Sequence, residues 1–165
     1  MFVFPIDRLN ANAMSKREWG FAGKLASQGP FRSKHDLTHA LLRFINQDFD
    51  ADRKPVGDTV AGPDWAEICR SSLHWRADRA FGNAITAARV AAEGALADAD
   101  NDYRHAGKVA LEERSFARLE KAETEHTLAF NQSRVRYAEA VAIAFADALW
   151  TDHLERESEG KEEAA

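Results

Sequence analysis

The last proline of the chain is Pro63, and the 102 residues that follow contain none. Proline within a helix removes a hydrogen bond and clashes with the preceding turn, so a proline-free stretch of this length permits very long helices. The other prolines, Pro5, Pro30 and Pro55, punctuate the first third. A broken N-terminal region therefore precedes an unbroken remainder. The length of 165 residues suits one domain, and 45% hydrophobic residues suffice for a core. The expected fold class is all-α: a helical bundle built on a long antiparallel helical hairpin with two short N-terminal helices. Residues 1–62 supply an N-terminal arm, the two short helices and a polar loop; 63–157 supply the hairpin; 158–165 read as an acidic disordered tail.

Local signals set the expected elements. Met1–Phe4 reads as a short strand or a docking arm. Ser15 and Glu18 have capping-box spacing, in which each side chain satisfies a backbone N–H left free by the first turn. A helix from Ser15 places Trp19, Ala22, Leu25 and Ala26 on one face and stops at Gly29-Pro30. Ser33 and Asp36 repeat the device, with Leu37, Leu41, Phe44, Ile45 and Phe49 as the apolar stripe. A polar loop follows from Asp48 to Gly62. Asp64 and Glu67 then start a third helix that ends near Leu96 or Ala97. Its seam, Leu73, Ala77, Ala80, Phe81, Ala84, Ala88, Ala91 and Ala95, is mostly alanine and allows a neighbouring helix to approach closely. Asp98–Asp102 is rich in turn-forming residues and is the expected break. The last helix should run from about Tyr103 to Glu157, unbroken across Asn131–Ser133.

The segment Tyr137–Trp150 is apolar at 12 of 14 positions, too many for one neighbouring helix to cover. Either the N-terminal helices or a second copy of the chain must shield it, and the length of the last helix tilts the expectation toward self-association. Tyr137, Val141, Phe145, Leu149 and Trp150 are the expected contact surface. A long two-helix seam of this kind also has coiled-coil character.

Charge is uneven. Residues 1–47 carry seven basic and three acidic side chains, whereas residues 151–165 carry six acidic and two basic. Lys16, Arg17, Lys24, Arg32 and Lys34, interleaved with Trp19, Phe21 and Phe31, have the charges to meet phosphates and the rings to stack on bases. A nucleic-acid contact there is a second reading, weakened by a net charge of −5.

Metal chemistry is a third. Glu123 and His126 have the E-x-x-H spacing of ferritin-like bundles, and both, with Glu112, project toward the apolar stripe. The full site needs a second such motif and two more glutamates, which the alanine seam does not offer. His35 and His39 stand one turn apart, but Asp36 replaces the glutamate of a zinc protease motif. Asp48–Asp52 and Asp98–Asp102 lack the glycine and glutamate of calcium loops. A single cysteine, Cys69, in a helical pattern beside Ile68 supports neither a disulfide nor a reactive nucleophile. The resulting expectation is a non-enzymatic, cytoplasmic protein-interaction or assembly subunit. No cofactor, no metal and no membrane are expected, and the partner is a protein or the chain itself.

Overall fold

A computed structural model describes residues 1–10, 12, 14–47 and 72–163, with the backbone alone at Arg17 and Gln47. The described residues are almost entirely helical. A 3-10 turn (Ile6–Arg8) precedes α1 (Lys16–Gln28), α2 (Lys34–Gln47), α3 (Trp75–Glu112) and α4 (Phe116–Glu163). The sequence-expected loop from Asp48, the Asp64/Glu67 box, Phe49 and Cys69 lie outside the described residues.

Capping chemistry starts the short helices as expected. The Ser15 hydroxyl accepts the Glu18 N–H at 3.3 Å, and the Glu18 carboxylate accepts the Ser15 N–H in return. Ser33 accepts the Asp36 N–H at 3.2 Å. Met1–Phe4 is a docked arm with a single bridge in place of a strand. Phe2 exchanges backbone hydrogen bonds with Phe31 at 2.9 and 2.7 Å, an isolated antiparallel bridge. This drives Phe2 and Phe4 into the core.

The two long helices differ from expectation at their shared turn. Asp98–Asp102 does not break the chain. It lies inside α3, which continues through Tyr103 to Glu112. The turn is Glu113–Ser115, where Arg114 takes a left-handed φ of 53°. Ser115 N–H donates to Ala110 O at 2.9 Å and Arg114 N–H to Leu111 O at 3.1 Å, the double bond pattern of a Schellman motif with arginine where glycine is usual. Ser115 then starts α4, its hydroxyl accepting the Arg118 N–H at 3.4 Å. The helix is continuous across Asn131–Ser133 and extends to Glu163, so the expected disordered tail is helical as far as that residue.

Contacts between α3 and α4 pair early residues of one with late residues of the other. The His74 N–H, at the start of α3, donates to the Asp152 carboxylate. Phe81 and Phe145 have ring centres 5.6 Å apart, Ser133 Oγ donates to Ala92 O at 3.3 Å, and Asp100 meets His126 at 2.7 Å.

The core is concentrated at one end. It takes Phe2, Phe4 and Leu9, the inner faces of α1 and α2, Ala77 and Phe81 of α3, and α4 from Val135 to Leu149. Val141, Phe145 and Leu149 are almost fully buried. The apolar stretch of α4 is thus shielded on one side by α3 and on the other by α1, α2 and the first residues. Those five positions are accordingly corrected from contact surface to interior: Val141, Phe145 and Leu149 are enclosed, and Tyr137 and Trp150 are half-buried against the same core. Phe2 packs edge-on against Trp150, with ring centres 6.3 Å apart.

Candidate interaction surface

Between Gly82 and Arg134, the described residues contribute nothing to that fully buried core; Ile85 alone is packed against it. Here, among the described residues, α3 and α4 pack on each other alone. At 1.5 Å per residue this distal pair extends about 45 Å beyond the last core residue of α3. Its inner contacts are small or polar: Ala88, Ala92, Ala99 and Ala106 face Ser133, Ala129, His126 and Ala122.

The alanines also open a trough. Four shallow cavities of about 120 to 450 Å³ follow one another along the α3–α4 pair. Taking 100° per residue, their lining residues all lie on the same side of the seam. From the core end outward the floor passes Ala80, Ala84 and Ala144, then Ala88, Ala91, Ala95 and Ala140, then Ala99, Ala106, Ala122 and Ala129. The buried α4 residues Val135, Ala142 and Phe145 point away from this side, while Asp147, which lines its core end, pairs with Lys34 of α2 at 2.8 Å. The sequence-expected seam therefore divides. Ala77 and Phe81 are buried and Leu73, Ala84 and Ala88 half-buried, while Ala80, Ala91 and Ala95 are open to solvent.

Charge on the open side is segregated. The α3 floor from Ala80 to Ala95 carries none. Beyond it lie Asp102 and Glu125, with Asp98 one turn before Asp102; Lys121 and Arg118 border Glu125 toward the turn, Arg76 and Asp147 line the core end, and Arg136 is the one charge lining the middle cavity, across from Ala91. Arg136, Asp98 and Asp102 make no ion pair with another described residue, and Glu125 meets Lys121 at 3.6 Å. No described element covers the opposite side of the distal pair either. Phe116 and Leu111 flank the turn at 79% and 71% exposure, and Phe130 lies under the Arg134 guanidinium, 5.9 Å from its ring centre.

A polar cluster locks the other end of the pair. Asp152, 4% exposed, accepts the His74 backbone N–H, and its second oxygen accepts Arg156 Nε at 2.8 Å. Arg156 also donates to Ser72 O at 3.1 Å. His74 Nδ1 lies 3.1 Å from Glu155 Oε2, two buried atoms with no hydrogen-bond partner among the described residues. The cluster supplies the first turn of α3 with the capping group that His74 itself does not provide.

The remaining sequence-derived candidates are placed as follows. Glu123 is exposed and does not reach His126, which instead pairs with Asp100 and stacks on Tyr103, ring centres 4.8 Å apart. Glu112 ends α3 and lies 3.9 Å from Lys108. The inward orientation expected of both glutamates is thus corrected, because α4 starts after Ser115 and its seam runs through Ala122 and His126. His35 and His39 meet edge-on, ring centres 4.2 Å apart, on the exposed side of α2. Among the described residues no three His, Cys, Asp or Glu side chains gather as a metal site. Lys16, Lys24 and Arg32 are exposed, Lys34 pairs with Asp147 at 2.8 Å, and the side chain of Arg17 lies outside the described residues. The rings meant to stack on bases are engaged internally: Phe31 is buried, and Phe21 packs edge-on against Phe44. No helix among the described residues is long and apolar enough to cross a membrane.

The sequence alone assigns the alanines to a single seam and Asp98 and Asp102 to a turn, and it gives Arg136 no role. One signal was available. Ala80, Ala84, Ala87, Ala88, Ala91, Ala92 and Ala95 span about 140° of helix circumference, wider than one partner helix requires. No family model, curated protein or solved structure matches the chain.

Proposed function

We propose that this chain is a non-enzymatic, cytoplasmic assembly subunit whose α3 and α4 form an antiparallel helical hairpin that binds a protein through its open side. One observation carries this reading: the alanine-floored trough runs the length of the pair, and no described element covers it. Small side chains let another helix approach closely, and the gain comes from area and packing density. The proposed contact surface moves accordingly, from Tyr137, Val141, Phe145, Leu149 and Trp150 to the side bearing Ala91, Ala95, Ala140 and Arg136.

A site-specific photo-crosslinker tests it in the cells that make the protein. Placed at Ala91, on the trough floor, it should yield a discrete protein adduct. Placed at Arg89, exposed on the other side of α3 and 4.0 Å from Glu93, it should not. An absence of adducts from Ala91, or equal labelling from both positions, would remove the trough as a binding surface.

A further inference from the structure

Resting on that reading, we infer that the occupant of the trough is a second copy of this chain, docked antiparallel about a two-fold axis close to Ala95. The distribution of charge argues for it. Arg136 lies level with Ala91, whereas Asp98, Asp102 and Glu125 lie about ten residues, roughly 15 Å, farther toward the turn. Two copies aligned in parallel set Arg136 against Arg136 and those acidic residues against themselves. Reversing one copy about the midpoint sets each Arg136 against the other copy's Glu125 and its neighbouring aspartates, twice by symmetry. Arg136, Asp98 and Asp102 are exposed and form no ion pair with another described residue.

The reversed register also matches apolar surface. It lays the uncharged floor of one copy, Ala84 to Ala95, across the floor of the other from Ala95 toward Ala106. The overlap runs from about Ala80 to Ala110, some 45 Å, and two helices side by side are about 20 Å wide. A footprint of about 900 Å² follows, comparable with the roughly 800 Å² per partner of stable interfaces. Four helices then surround the alanines in place of two. The core at the other face of α4 is untouched, so dimerisation does not require any rearrangement of α1 or α2.

Sedimentation of the full chain across concentration and salt tests this. The wild type should reach twice the 18.4 kDa chain mass. Arg136→Glu should weaken association about tenfold or more, as should Glu125→Arg, and the double variant should recover it. Both positions of change are exposed, and unchanged circular dichroism verifies that the variants fold. In a Cys69→Ser background, Ala95→Cys should crosslink to itself readily and Ala80→Cys should not. A monomer at every concentration overturns the inference, as does a dimer indifferent to Arg136→Glu or one that crosslinks equally at Ala80. A monomer whose Ala91 photoprobe still captures a different protein overturns only the choice of occupant and leaves the proposed function standing.

Discussion

Two parts of the same helix pair are held together in different ways. Near the chain ends, α4 from Val135 to Asp152 buries its inner face against α3, α1, α2 and the first residues, and its large side chains meet rings such as Phe81. In the distal part, α3 and α4 touch mainly through alanine, with one serine hydroxyl, one histidine–aspartate pair and the Tyr103–His126 ring contact. Equal helicity therefore conceals unequal support. A helix without a packed face has little independent stability, and the distal pair has one narrow seam per helix. The difference shows why long helical signals in a sequence do not by themselves locate a core.

The largest test of the contrast is Phe145→Ala. Emptying that buried site should cost about 3–5 kcal/mol in urea unfolding, and hydrogen exchange should show distal amides opening at lower free energy than those around Phe145. Equal protection along both parts would break the comparison. Next comes Asp152→Ala, which removes the acceptor of the His74 N–H and the partner of Arg156. A loss of about 2 kcal/mol is expected, with the first turn of α3 exchanging faster. A smaller effect, of opposite sign, is expected at the turn. Arg114→Gly relieves a left-handed backbone conformation and should raise stability by about 1 kcal/mol, visible as slower exchange near Leu111. Smallest is Phe116→Ser. Because that ring is 79% exposed, unfolding free energy should change by less than about 0.5 kcal/mol. A cost above 1 kcal/mol would mean that the ring is packed in solution.

Much of the local structure could be read from the chain. The Ser15/Glu18 box, the Ser33 cap and the stop at Gly29-Pro30 depend on neighbouring residues alone, and so does the unbroken phase of α4 across Asn131–Ser133. The position of the long turn could not be read so easily. Asp98–Asp102 has the composition of a turn, yet Asp100 and Tyr103 find His126 across the seam, and those contacts outweigh weak local preferences. The real turn has neither glycine nor proline, and Ser115 is its single conventional signal. The contact surface was missed for a related reason. The oily segment of α4 demanded cover, but which part of the chain would supply it is a tertiary fact, set by the placement of Phe2, Phe4 and α2.

The firm anchorage of only one end has a mechanical corollary. A rod of about 45 Å, gripped at Phe81 and Val135 and loose beyond, converts rotation into travel: a tilt of about 10° at its root carries the Arg114 bend sideways by roughly 8 Å. Whatever engages that bend can be reached, or let go, by a small adjustment in side-chain packing far from it.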